Sequence, residues 1–254
     1  MNARSVSIVV PFHDSERHLA ACVESLLAQD EAAASYELIL VDNGSRDHSA
    51  AIASRYREVV LLHEAKPGAY AARNAGLRRA RGSILAFTDA DCVASRGWMR
   101  SILDGMADPS VGILLGRAEY PPEASLTLRL LGEYENAKAE YVIARCPPAF
   151  HFAYANNMAV RASVFAEIGP FEQWARAADS ELVHRVARAR PDLRLVYRPS
   201  MVVTHMEFLR TRDRVRRLSL YTKTNARIQG FRELGIADRV GVLGQLLRAR
   251  RRRT

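Results

Sequence analysis

The stretch Ile84-Leu85-Ala86-Phe87-Thr88-Asp89-Ala90-Asp91 decides how this chain is read, because an apolar run of strand composition ends there in two carboxylates one residue apart. In an extended backbone residues i and i+2 point to the same side, so Asp89 and Asp91 are expected to present oxygens to one point in space. Two hard anionic ligands so placed suit a divalent cation, Mn²⁺ or Mg²⁺. An acidic turn that merely closes a strand is the other reading of the pair taken alone. The segments on either side have to choose between the two.

Upstream, three further strand patterns alternate with helical ones. Val6 to Val10 is a continuous β-branched run ended by Pro11, as in a strand buried on both faces. Leu19, Cys22, Val23, Leu26 and Leu27 recur at helical spacing, with Ser15 as the expected N-cap. Leu38 to Val41 is a second strand, followed by Asp42-Asn43-Gly44-Ser45. Asn-Gly is also a hairpin signal, but residues 49 to 56 read as helix and favour a strand-to-helix loop. Val59 to Leu62 is a third strand, broken by Lys66-Pro67-Gly68 before an Ala-rich helix over 69 to 80.

Strand and helix alternating four times predict a parallel, doubly wound sheet with right-handed crossovers. In such a sheet a ligand lies outside the carboxyl ends of the strands. Pro11-Phe12-His13-Asp14, Asp42-Asn43-Gly44-Ser45, Lys66-Pro67-Gly68 and Asp89-Ala90-Asp91 all fall at those ends and are expected to converge. Carboxylates with a metal, Lys66, and Arg73 on the following helix suit a diphosphate, and Asp42 can accept from a base or ribose. Neither G-x-x-x-x-G-K-[ST] nor G-x-G-x-x-G is present, which leaves a metal-held nucleotide diphosphate.

Composition fits one large α/β domain with a C-terminal appendage, or two small domains. The chain has 254 residues, 48% hydrophobic and 26% charged, enough to bury a full core. No run of eighteen uncharged apolar residues exists, and the strand pattern beginning at Val6 leaves no room for a signal peptide, so a cytoplasmic location is expected. Cys22, Cys92 and Cys146 match neither a zinc site nor a disulfide framework and read as reduced packing residues. The charge is uneven: residues 209 to 254 carry 14 Lys or Arg against 3 acids, a net of +11 against +9 for the whole chain. The body is near neutral and the tail is basic.

Residues 6 to 104 resemble the N-terminal half of a family 2 glycosyltransferase, the inverting enzymes of GT-A fold that take sugars from nucleotide-diphosphate donors. The matching pieces are Val9-Val-Pro-Phe-His-Asp-Ser-Glu16, Val41-Asp-Asn-Gly-Ser-Arg-Asp47, Lys66-Pro-Gly-Ala-Tyr-Ala-Ala-Arg-Asn-Ala-Gly76 and Asp89-Ala-Asp91. Each is weak alone; four in order at comparable spacing are specific. The resemblance implies that the Pro11-Phe12-His13 backbone, Glu16, Asp42 and Asn43 hold the nucleotide. It places Lys66, Gly68 and Arg73 near base or phosphates, Asp91 on the metal, and Asp89 and Ala90 at the metal, ribose or sugar.

Farther on, 111 to 115 reads as strand, 126 to 144 as a long helix, 146 to 151 as a loop, and 154 to 160 as an extended run containing Asn156-Asn157. The family sets a similar Asn-Met-Ala-Val-Arg strand beside the donor sugar; an edge strand with solvated amides is the alternative. Gly169 to Leu182 resembles the family's loop to a Glu-Asp pair opening a helix, where the aspartate is the catalytic base. Asp179 takes that place, but Ala178 stands where the glutamate usually does, which puts the basicity and orientation of Asp179 in question. A plain helix N-cap is the other reading of Asp179. Glu181 should face elsewhere on the helix, and the same geometry argues against a glycoside hydrolase. Trp174 is a candidate acceptor platform or a packing residue. Short strands over 194 to 197 and 202 to 204 deliver His205, which in the family can complete the metal shell; a structural histidine is the alternative.

In the tail, Arg210, Arg212, Arg214, Arg216 and Arg217 suit a closing clamp on the diphosphate. Ile236, Val240, Leu243 and Leu247 line one helix face running into Arg248 to Arg253. That helix suits docking on the body or on a second copy in a homodimer, or contact with an anionic membrane surface, which would make the protein peripheral there.

The expected whole is an α/β GT-A (Rossmann-like), mostly parallel sheet flanked by helices. Residues 1–208 form the transferase domain, with 1–108 the nucleotide-binding half and 109–208 the acceptor half; 209–254 form a basic helical extension. The expected partners are a nucleotide-sugar donor, UDP-linked by family habit, and a glycan, lipid-linked or small-molecule acceptor. Two rivals stand beside this reading. Ala178 motivates an inactive nucleotide-sugar-binding subunit; the basic tail motivates a nucleic-acid binder, against which no aromatic platform accompanies the arginines.

Overall fold

The computed structural model describes residues 5–30, 36–174 and 176–207. The basic tail, and with it the expected arginine clamp and the expected amphipathic helix, lies outside the described residues.

Eight strands form one mixed sheet. Its parallel half comprises β1 (Val6–Phe12), β2 (Tyr36–Asp42), β3 (Val60–His63) and β4 (Ile84–Thr88), in spatial order β3-β2-β1-β4. Between them run α1 (Leu19–Leu27), α2 (Ser49–Ala53) and α3 (Ala69–Arg79). The unbroken apolar runs follow from helices on both faces. Val6, Ile8, Val10 and Phe12 of β1 pack on one side with α1, while Val9 packs on the other with α3. There the helix comes so close that a Cβ on Gly76 would lie 2.4 Å from Val9 Cγ1.

The second half reverses direction. After β5 (Cys92–Ala94) and α4 (Trp98–Gly105) come β6 (Val111–Glu119), the long α5 (Leu126–Arg145) capped by Ser125, β7 (Asn157–Arg161), α6 (Ala162–Ile168), α7 (Ala178–Ala189) and β8 (Arg194–His205). β7 lies antiparallel between β4 and β6, and β8 is parallel to β6 and antiparallel to β5. The sheet therefore runs continuously from its parallel half into the second half of the chain.

Several local expectations are corrected. The first helix starts at Leu19, because Ser15 opens a turn whose carbonyl accepts from His18 and Leu19 instead of capping the helix. β1 continues through Pro11, whose missing N–H the parallel pairing tolerates. α2 is shorter than the pattern over 49 to 56 suggests. The extended run over 154 to 160 begins at Asn157, and it is central rather than an edge: Asn157 Oδ1 accepts from Trp98 Nε1, and its Nδ2 donates to the Arg117 and Met201 carbonyls. The two short strands expected before His205 are one strand, irregular where Gly116 meets Arg117 in the pairing with β6.

Candidate active site

At the carboxyl ends of β1, β2 and β4 a cleft of about 790 Å³ opens toward α5 and α7. Pro11, Phe12, His13, Asn43, Arg73, Asp89, Ala90, Asp91, Asn156, Asp179 and His205 all line it. The convergence expected from strand direction is found in part: the 11–14 and 89–91 clusters and Asn43 meet at one rim, whereas Asp42 and the Lys66-Pro67-Gly68 cluster do not line it.

The geometry of the two carboxylates differs from the extended arrangement. The chain turns directly after β4, with Cys92 N–H donating to the Asp89 carbonyl at 3.0 Å, so Asp89 and Asp91 part company. Asp89 is ion-paired to the Arg73 guanidinium, which is buried and stacked 5.3 Å over the Tyr70 ring. Asp91 instead faces His205, whose Nε2 lies 3.6 Å from its Oδ2. The antiparallel pairing of β5 with β8, including Met206 N–H to the Asp91 carbonyl at 2.8 Å, delivers this histidine. Ligand atoms of Asp91, Cys92 and His205 lie within 4.8 Å of one another; the carboxylate and the imidazole fit a divalent cation such as Mn²⁺, whereas the soft Cys92 sulfur is not a ligand that Mn²⁺ or Mg²⁺ selects. Cys92 was expected only to pack; it packs in the core and borders this cluster as well, its thiol pushed well up in pKa by burial.

Asp179 sits in the first turn of α7, one helical residue past Ala178, and is buried. The N-cap position belongs to Ala177, which holds a left-handed φ of 65°, so Asp179 is not the cap. A strained non-glycine residue at that point is a device that aims the first turn of α7. The carboxylate accepts from Ala155 N–H at 2.9 Å and from Ser180 N–H at 2.9 Å. Burial raises its pKa, and these two donors, the Arg73 charge and the Tyr70 hydroxyl draw it back. Orientation is therefore supplied without the missing glutamate. Ala178 is wholly enclosed in the apolar cluster of Phe171, Leu182 and Val183. Restoring the family carboxylate with Ala178→Glu is expected to cost about 2–3 kcal/mol of stability, since a charge would enter that cluster unpaired. Thermal melts should show a Tm lower by about 5–10 °C.

Other expected residues stand back from the cleft. Glu16 accepts from His48 N–H at 3.0 Å and pairs with its ring, which lowers the Glu16 pKa. Asp42 accepts from Ser45 N–H at 2.9 Å and lies 3.3 Å from His63. Asn43 reaches the cleft, but its amide is committed to the 64–68 loop, donating to the Glu64 and Lys66 carbonyls and accepting from Gly68 N–H. Lys66 and Gly68 belong to that braced loop, Gly68 with a φ of 125° at the entry to α3. Glu16, Asp42, Lys66, Gly68 and Trp174 are not among the cleft-lining residues, and Trp174 is exposed. Glu181 pairs with Arg185, away from the cleft as expected.

Sequence reasoning missed Tyr70 and Asn74. Asn74 exchanges hydrogen bonds with the Phe171 backbone and so pins the loop that leads to α7. It also missed the α5 wall of the cleft, although Glu135 and Lys138 stand at salt-bridge spacing on a helix.

The model of Glycosyl transferase family 2 matches residues 7–169. Glycosyltransferase AglE of Haloferax volcanii is 27% identical over 172 residues, 65% of this chain and 55% of that protein. The mannosyltransferase PcManGT of Pyrobaculum calidifontis, solved with GDP-Man and Mn²⁺, superposes with a TM-score of 0.61 at 21% identity, over 81% of this chain and 57% of that one. Glucosyl-3-phosphoglycerate synthase of Mycobacterium tuberculosis, solved with Mn²⁺, UDP and phosphoglyceric acid, gives 0.59 at 16% identity over 84% and 73%. At these identities the two structures establish a shared GT-A architecture. The chain spans about half the length of the curated relative matched.

Proposed function

This chain belongs to glycosyl transferase family 2, and from that premise we propose that it moves a sugar from a nucleotide-diphosphate donor to an acceptor hydroxyl with inversion. UDP is the first donor nucleotide to test. One observation carries the reading: a single cleft holds the Asp91–His205 pair and, across Arg73, the buried and hydrogen-bonded Asp179.

Asp91 and His205 would hold Mn²⁺ or Mg²⁺, which when bound supplies positive charge beside the departing diphosphate. The backbone of Pro11 to His13 and Asn43 forms the rim for the nucleotide, with Asp42, Glu16, Lys66 and Gly68 shaping the loops behind it. Asp89, anchored through one oxygen by Arg73, keeps the other for ribose or sugar hydroxyls, and Asn156 borders the sugar. Asp179 takes the acceptor proton as the acceptor oxygen attacks the anomeric carbon. A single displacement inverts that centre. Residues 1–108 then serve the donor and 109–208 the acceptor. The backbone donors on Asp179 favour an active enzyme over an inactive binding subunit, because they hold a base where Ala178 alone would not.

Incubation with a panel of UDP-, GDP- and dTDP-sugars in Mn²⁺ is expected to show nucleotide release from one donor class, abolished by EDTA. Calorimetry with no binding of any of the nucleotides in Mn²⁺ would end the proposal. Among the described residues no helix is long and apolar enough to cross a membrane. Contact of the basic tail with an anionic membrane surface, and association into a homodimer, remain part of the proposal from sequence alone.

A further inference from the structure

We infer that the wall of the cleft built by α5 and residues 152–156 is an acceptor subsite for a neutral saccharide, with Tyr154 as its platform and the Glu135–Lys138 pair as its hydroxyl-binding group. The inference rests on the transferase reading above and adds the class of acceptor to it.

The wall is fixed to the proposed base. Ala155 N–H donates to Asp179, Ala153 N–H donates to Ser180 Oγ at 3.2 Å, and Thr88 Oγ1 donates to the Asn156 carbonyl at 2.9 Å. Tyr154, between Ala153 and Ala155, is therefore held within one residue of the peptide group that orients Asp179. An acceptor ring lying on Tyr154 can present a hydroxyl to that carboxylate.

Its chemistry is that of a sugar site. Tyr154 is 42% exposed, an unusual state for so large an apolar ring on a cleft wall. Its hydroxyl donates to Glu135 Oε2 at 3.3 Å, and Lys138 Nζ donates to the same oxygen. Lys138 also lies 5.3 Å over the Phe152 ring, whose centroid is 5.3 Å from that of Tyr154. Donor, acceptor and aromatic face thus stand together, as a polyhydroxylated ring requires. The wall is rigid as well: Asn136 bonds the Ala118 backbone from both ends of its amide and accepts from Tyr197 Oη at 3.3 Å.

Charge balance selects against an anionic acceptor. Lys138 is matched by Glu135, and Arg117, behind the wall, is matched by both Glu119 and Glu133. A phosphate or carboxylate needs spare cationic donors, and on the stretch of wall built by α5 and residues 152–156 the cleft-lining charges are Glu135 and Lys138, which pair with each other.

The test uses the full chain with Mn²⁺ and the donor panel, adding neutral phenyl glycosides in one arm and sugar phosphates in the other. A neutral glycoside is expected to raise nucleotide release. Tyr154→Ala should raise its KM about tenfold with a smaller change in kcat, and Lys138→Met about fivefold. Tyr154→Phe, which keeps the ring, should move KM less than Tyr154→Ala, and it keeps the test available if the alanine variant does not fold. UDP binding in Mn²⁺ serves as the check that each variant retains its donor side. Stimulation by sugar phosphates alone, or a KM within about twofold of wild type in both Tyr154→Ala and Lys138→Met, would overturn the subsite while leaving the transferase reading intact. A wild-type chain that binds no nucleoside diphosphate would remove both.

Discussion

Replacing Asp179 with asparagine is expected to lower kcat by about 10³-fold while Mn²⁺-dependent nucleotide binding stays within about twofold of wild type. The separation follows from placement. Asp179 is on α7, bonded to Ala155 and Ser180, whereas the rim offered to the nucleotide comes from β1 and β2. An asparagine keeps the volume but cannot accept a proton, and one end of its amide would meet a backbone N–H as a second donor. The pH dependence has a definite sign. Burial raises the Asp179 pKa, so the fraction of ready base falls as pH drops through that raised value. The acid limb of kcat/KM should lie above the ordinary aspartate range. Stability responds in the opposite sense, because a folded-state pKa above the unfolded one favours the protonated fold and that contribution fades as pH rises. Full transfer activity in Asp179→Asn would remove the base assignment, and a limb at the ordinary aspartate pKa would remove the account of its burial.

Asp91→Asn should fail at a different step. Its carboxylate and His205 are the proposed metal ligands beside the turn after β4, and loss of the anionic ligand is expected to weaken Mn²⁺-supported UDP binding by about 10²-fold. Titrating UDP calorimetrically at several Mn²⁺ concentrations reads this directly. Wild-type affinity with unchanged metal dependence would move the cation elsewhere in the cleft. Together the two variants separate donor capture from chemistry.

Much of this was legible from residue order. The runs at Val6, Leu38 and Ile84 reveal strands covered on both faces, and strand direction then dictates where the polar clusters meet. What escaped depends on contacts between distant segments. The turn that separates Asp89 from Asp91 was hidden because Asp-x-Asp reads the same in a strand and in a turn; the buried Arg73 takes Asp89 and the β8 histidine faces Asp91. Glu16 and Asp42 carry donor-site motifs, yet their oxygens brace loops. The backbone N–H of Ala155 has no side chain to announce it, so the substitute for the missing glutamate was invisible. The α5 wall was read as helix from periodicity, which says nothing of the cleft beyond it.

The pairing of β5 with β8 carries a consequence for the order in which this chain can assemble. Cys92 faces His205 across two strands that lie far apart in translation order. A nascent polypeptide emerging from the ribosome can zip its first four parallel strands early, since their contacts are comparatively local. Among the described residues, Asp91 and His205, the proposed cation ligands, come together only when β8 inserts between β6 and β5. Half-made copies would thus carry the β1–β2 rim without the Asp91–His205 pair, and under the function proposed above metal-dependent donor capture would arrive in one late step.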